Sequence, residues 1–375
     1  MAIYKIFPTK DSTIYSRYPS KNTGLDSILE VGADFSTQTP QVSRYLLHFS
    51  QNEINSLLDN KISTSSFQVN LKNFISNAKN LNTDTTLEVY PLSGSWNMGT
   101  GKFNDYPETD NGVSWGYRTY SGSNPWPTEN LGEYVTASYK DVEGGGTWYT
   151  GSTLGFNVTQ SQVYNYSSNK DLNVNVTNTI LNWYSSSNGL GGFLNDGFII
   201  KQGDNDEFVE SIYKQAKLQF YSVDTNTIYP PELQFQWDDF SYVTSSNIPL
   251  LTTTQMVATL DNNPGTFRRD EVHRFRLNAR PEFPLRTFQT ASWYNSNYYL
   301  PTSSYYAIKD LDTNEYIFDF STTYTKISAD TLGNYFDVYM NGLEPERYYQ
   351  ILLKIILNGE TTILSDNYYF KIING

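Results

Sequence analysis

The chain has no cysteine and two histidines, His48 and His273. Without thiols there is no disulfide, no thiolate metal site and no cysteine nucleophile. The two histidines stand too far apart in sequence to make a metal-binding pair at motif spacing, and no phosphate-binding glycine loop occurs. Basic residues are in deficit. Lys and Arg total 26 against 39 Asp and Glu, a net charge of −13, which argues against nucleic-acid binding because phosphate contacts need a basic surface. No apolar run reaches the ~18 residues of a membrane span, so no membrane insertion is expected. The opening MAIYKIFPTKD carries no apolar stretch of the secretory-leader kind, and synthesis in a cytoplasm is the expectation.

What the chain has is aromatic residues: 31 Tyr, 21 Phe and 7 Trp in 375 positions. This composition favours β-structure. In SRYLLHF, Tyr45, Leu47 and Phe49 fall on one strand face and Arg44, Leu46 and His48 on the other. TTLEVYPL, LNVNV, DGFIIKQ and PELQFQW alternate in the same way between Gly, Asn, Pro and Ser punctuation. Two segments read as helices. Ser50 and Glu53 form a capping box ahead of Ile54, Leu57 and Leu58, while Val176, Ile180 and Trp183 recur at helical spacing with Thr177 placed to cap. Many short strands and few helices predict an all-β protein. A boundary is expected at 238–247, separating a domain of about 1–240 from one of 247–375. In the latter, Leu343, Pro345 and Tyr349 are spaced like the tyrosine corner of immunoglobulin and fibronectin type III sandwiches, and Asn358-Gly359 marks a two-residue hairpin turn.

Three clusters are candidate sites. Six of the ten arginines, Arg268, Arg269, Arg274, Arg276, Arg280 and Arg286, lie within residues 267–288. On a strand, Arg274, Arg276 and Arg280 share the face opposite Phe275, Leu277 and Ala279, which suits docking onto an acidic neighbour such as a second copy. The alternative is a solvated face with weak ion pairs. Asp204, Asp206 and Glu207 form an acidic run whose oxygens suit Ca²⁺, although the Gly and distal Glu of an EF-hand are missing and a solvated acidic loop is the simpler reading. Residues 93–155 lose all periodicity yet hold Trp96, Trp115, Trp126 and Trp148. Those indoles either anchor long ordered loops, pack against a partner subunit, or form a platform that stacks on sugar rings. No nucleophile, base or carboxylate pair is singled out, so the expected role is non-enzymatic, with no cofactor beyond a structural Ca²⁺.

The order of motifs over residues 1–238 resembles the DNRLRE-type jelly-roll domain. Asp11, Ile14, Asn22, Gly24, Leu29, Val31, Gly32, Arg44, Leu46, Phe49, Trp96, Trp115, Val176, Thr177, Trp183, Gly197, Phe198 and Leu233 sit at matching places. The name-giving string itself is absent, and FVESIYKQAKLQFYS replaces the usual late acidic segment. The resemblance implies a jelly-roll sandwich with long loops, followed here by the immunoglobulin-like domain. It also implies a structural Ca²⁺ near the first strand, with Asp11 and Asn22 contributing, and carbohydrate binding as an alternative use of the aromatic loops. MAIYKIFPTKDSTIYS and YPLSGSWNMGTGKF are also similar to structural proteins of tailed phages, notably myoviruses of marine cyanobacteria. That likeness implies a virion component of tail, baseplate or neck, assembled in the host cytoplasm with other virion proteins and further copies of itself.

Overall fold

The computed structural model describes residues 2–35, 41–62, 66–120, 123–126, 144–150, 158–207, 215–284, 296–365 and 368–374, the side chains of Asp204 and Asn205 excepted. They form an all-β sandwich protein of mainly antiparallel sheets, with two helices longer than one turn among them. Contacts divide the chain into two compact units. One is Ile6–Lys61 with Gln68–Gln234, and the other is Met1–Lys5, Ile62–Phe67 and Phe235–Gly375. The chain thus passes between units four times, whereas the sequence suggests one boundary near 238–247. The physical reason for the first crossing is Ile3, which is buried in the same apolar cluster as Leu251, Phe275 and Ile351. Asn341 Nδ2 donates to the Lys5 carbonyl at 2.6 Å beside it.

The larger unit is built on a sheet of strands in the order Gln160–Tyr164, Thr85–Pro91, Phe198–Gln202, Gln41–Phe49, Ile28–Asp34, Lys217–Tyr221 and Ile75–Lys79, with Pro8–Tyr15 also paired to Gln41–Phe49. The alternation in SRYLLHF is real, yet Val42 to Leu47 are all buried. Each face has a cover. Tyr45 faces a second sheet, where its hydroxyl accepts from Asn73 Nδ2 at 2.6 Å, and Asn73 lies on Phe67–Asn73, paired with Leu172–Asn175. Phe49 meets Phe198, which in turn meets Trp183 of helix Thr177–Ser187. On the other face, Leu46, Val42 and Ile199 pack with Trp96, Trp115, Trp126 and Trp148. The loops therefore act as a further layer over the sheet, and central strands covered on both sides need not alternate in burial.

Both predicted helices are present. Ser50 caps helix Gln51–Asn60 by accepting the Glu53 amide. Thr177 does not cap its own helix. Its hydroxyl accepts the Val69 amide at 2.9 Å and ties the helix start to the second sheet. Asp204–Glu207, read from sequence as a loop, is a single helical turn.

The other unit holds two sheets. One runs Met256–Leu260, Val272–Pro281, Gly333–Tyr339, Ser328–Asp330. The second runs Thr266–Arg268, Tyr369–Ile373, Tyr348–Leu357, Ser304–Asp310, Tyr316–Phe318, with Glu360–Leu364 also paired to Tyr348–Leu357. Tyr306 of the second sheet stacks on Phe336 of the first at 4.3 Å between centroids, and Phe336 stacks on Phe275 at 5.3 Å. The Tyr349 hydroxyl donates to the Glu344 carbonyl at 3.0 Å, closing a tyrosine corner. Leu357 pairs with Glu360 across Asn358-Gly359, both at positive φ, as a two-residue hairpin turn requires.

Candidate functional site

Strand Val272–Pro281 places its arginines as the alternation predicts. Phe275, Leu277 and Ala279 are buried, while Arg274, Arg276 and Arg280 lie on the outer face. Antiparallel pairing sets Arg274 opposite Asp337 and Arg276 opposite Tyr335. Arg274 Nε and Nη2 each donate to Asp337 at 2.8 Å, and Arg276 Nη1 and Nη2 donate to Asp330 at 2.9 and 2.7 Å. Both guanidinium groups also lie near the Tyr335 ring, at 4.1 and 5.5 Å from its centroid. The hydrogen bond from Arg276 holds Asp330 below the usual carboxylate range. The acidic neighbours expected from a second copy are thus supplied, for these two arginines, by adjoining strands of the same chain. Arg280 Nη1 donates to the Pro281 carbonyl at 3.1 Å. Arg268 is exposed, with its amide bonded to Glu271, Arg269 is half-buried, and Arg286 lies outside the described residues. The result is a row of two bidentate ion pairs and one tyrosine on a sheet surface. Arg274 keeps 46% of its side chain exposed.

The four tryptophans come together, but inward. Trp96, Trp115, Trp126 and Trp148 are each at most 3% exposed, so they offer no open face for a sugar. Their role is to fasten loops. Trp96 Nε1 donates to the Asp196 carbonyl at 2.9 Å, and Trp126 Nε1 donates to that of Ser114 at 3.0 Å. Arg44 lies over Trp115 and Trp148, with its guanidinium carbon 4.9 and 5.3 Å from their ring centres. It donates to the Gly145 carbonyl at 2.6 Å and, through Nε and Nη2, to both carboxylate oxygens of Glu207 at 2.7 Å. Lys201 adds a second cation 3.7 Å from Glu207 and 3.3 Å from Glu88. Breaking such a buried pair by removing one partner costs about 3–5 kcal/mol, so this cluster is a structural bolt through the loop layer.

That arrangement corrects the reading of the acidic run. Glu207 is buried and engaged by Arg44 and Lys201, and Asp206 Oδ2 accepts the Thr86 amide at 3.0 Å. The Asp204 side chain lies outside the described residues. Among the described residues, no three His, Cys, Asp or Glu side chains group as a metal would need. Asn22, the other Ca²⁺ candidate, is saturated by backbone. Its Nδ2 donates to the carbonyls of Met98 and Val113 at 2.7 and 2.8 Å, and its Oδ1 accepts the Gly101 amide at 2.8 Å. Gly24 completes the N-x-G motif because a Cβ there would lie 2.2 Å from the Met98 carbonyl oxygen. The motif's work is loop anchoring. Asp11 is buried, with Oδ2 accepting the Val223 amide at 2.6 Å. Among the described residues, neither histidine is bonded to a carboxylate. His48 Nδ1 is 2.8 Å from the Thr9 hydroxyl, and His273 packs against Phe267 and Phe275.

No protein-family model matches the chain, and no curated protein does. A comparison with solved structures pairs it with a DUF4785 family protein from Legionella pneumophila at 8% identity and a TM-score of 0.18. That pairing covers 98% of this chain and 65% of the other, so the chain spans under two thirds of that protein's length. Similarity that low carries no argument about fold or role.

Proposed function

We propose that the chain is a non-enzymatic structural component of a tailed-phage particle, in the tail, baseplate or neck, and that it works by protein–protein assembly. The supporting observation is the partly exposed row of Arg274–Asp337 and Arg276–Asp330 pairs around Tyr335. Arginine and tyrosine are the residues on which interfaces concentrate their energy. Here both guanidinium groups are already held in place by carboxylates, so less side-chain freedom is lost when a neighbour docks. The phage assignment rests on the sequence likeness described above. An adhesin acting through Trp96, Trp115, Trp126 and Trp148 loses its basis, since those rings lie beneath the chain's own loops.

The test is sedimentation velocity of the wild type and of an Arg274→Ala/Arg276→Ala variant, at low ionic strength and at that of seawater. The expected result is an oligomer of the wild type that salt loosens and that the variant fails to form. A wild-type monomer under both conditions sinks self-assembly through this face. Absence of the chain from the mass spectrum of purified particles sinks the virion role.

A further inference from the structure

In the unit that holds Phe235–Gly375, the chain closes most of its own sheet edges. Along Ser328–Asp330, the Ala329 amide donates to the Ser241 carbonyl at 2.8 Å, and the Ala329 carbonyl accepts the Val243 amide at 2.9 Å. Along Met256–Leu260, the Ala258 carbonyl accepts the Tyr368 hydroxyl at 2.6 Å. Thr266–Arg268 and Tyr316–Phe318 are three residues each, and edges that short template little. Glu360–Leu364 differs. It pairs along one side, with Tyr348–Leu357. In that partner strand, the amide and carbonyl of Ile356 both bond to Ser303, away from Glu360–Leu364. Opposed antiparallel residues alternate between bonding each other and both turning away. Thr361, opposite Ile356, and Ile363, opposite Lys354, therefore turn their amides and carbonyls outward. Among the described residues, these groups have no hydrogen-bond partner. The edge also lacks the usual protection. Its sequence ETTIL has no Lys or Pro, three of its residues are β-branched, and Ile363 is 56% exposed.

We infer that Glu360–Leu364 is a docking edge for a second copy of this chain, whose own Glu360–Leu364 adds antiparallel about a twofold axis at Thr362. In that register, Thr361 and Ile363 exchange amide–carbonyl bonds with the second copy's Ile363 and Thr361. The strand is complementary to itself in charge and shape. Glu360 falls opposite the second copy's Leu364, so no two like charges face each other. Each Ile363 lies across from a Thr361, a favourable β-branched pair. A chain with a net charge of −13 repels its own copies. This edge brings one carboxylate per strand to the contact, at the end away from the axis. Such a contact uses the same patch on both copies and closes at a dimer. The inference does not rest on the assembly reading above, because the arginine row lies on the other sheet of this unit.

The experiment is sedimentation velocity of the full chain at the ionic strength of seawater, joined to hydrogen exchange by mass spectrometry over a dilution series. Salt weakens the arginine contacts, so the wild type is expected to remain a dimer there. The Thr361 and Ile363 amides should be protected in the dimer and exchange quickly on dilution. Two variants test the edge. Thr361→Pro removes an outward amide without removing a bond inside the sheet, and Ile363→Lys puts a charge on the edge. Each is expected to raise the dimer Kd about tenfold or more, while unchanged exchange in Tyr348–Leu357 shows that the sheet is intact. Arg274→Ala/Arg276→Ala should keep this dimer. A wild-type monomer at every concentration overturns the inference. So does a dimer unaltered in both edge variants, or protection of the two amides that does not vary with dilution. Dissociation in the arginine variant alone would uphold the arginine row and overturn this edge, and dissociation in the edge variants alone would do the reverse.

Discussion

Asp11 shows how far one enclosed side chain is pushed from its behaviour in water. Burial is the largest influence on it, only partly opposed by the Val223 amide, and Asp224 and Asp26 add to the effect. Together they raise its pKa from 3.8 to about 8. Its Oδ1 has no hydrogen-bond partner among the described residues, so the neutral acid is the form that suits the site. Below pH 3.8 the carboxyl is protonated both folded and unfolded. Between about pH 4 and 8 the unfolded chain has lost this proton while the folded chain keeps it, so this group's contribution to stability falls as pH rises through that window. The Asp11→Asn variant, neutral throughout, should lack this slope. Urea midpoints of wild type and variant, measured from pH 4 to 9, should show the wild type losing ground relative to the variant up to about pH 8 and no further. A difference independent of pH would mean that Asp11 is ionised in the fold. His48 works in the opposite sense, since burial, with Lys10 adding, lowers its pKa from 6.5 to about 4. Its contribution is present above pH 6.5 and is lost as pH falls toward 4, which is why the comparison needs the variant as reference.

At the level of strands and turns, local signals carried most of the information. The tyrosine corner could be read from three residues because its hydrogen bond spans only from Tyr349 to Glu344. Tyr349→Phe keeps the ring packed near Phe370, 5.7 Å away, and removes only the hydroxyl. The expected loss is about 1 kcal/mol of stability by chemical denaturation, with little change in the denaturant slope. No loss would mean that water serves the Glu344 carbonyl equally well. The Ser50 cap and the Asn358-Gly359 turn were legible for the same reason. What stayed hidden was long-range pairing. Arg44 and Glu207 are 163 positions apart, and nothing local to Asp206 and Glu207 separates an exposed acidic loop from a buried bolt. Likewise, Arg274 and Arg276 read as an outward stripe, but their partners Asp337 and Asp330 follow from strand register, which no short motif reports.

On the scale of the whole molecule, the division into units cuts across sequence order. Ile3 and Lys5 belong with residues beyond Phe235, where Ile3 is 6% exposed and Asn341 bonds the Lys5 carbonyl. Deleting residues 2–5 should therefore weaken a unit whose bulk lies in the last third of the chain. Burial of one isoleucine alone contributes about 2 kcal/mol. Hydrogen exchange by mass spectrometry should show faster exchange in Tyr348–Leu357 of the truncated chain, with Gln41–Phe49 little altered. Equal protection in both forms would show that the first strand is dispensable to that core.

The same feature fixes an order of events during synthesis. Residues 2–5 are synthesised long before Ile372, yet the core that receives Ile3 also needs Ile372. That unit therefore cannot close until Ile372 has emerged. Joining segments so remote in sequence is slow, and apolar surface stays open to wrong partners in the interval. Yield from recombinant expression should therefore depend on how crowded the nascent chains are.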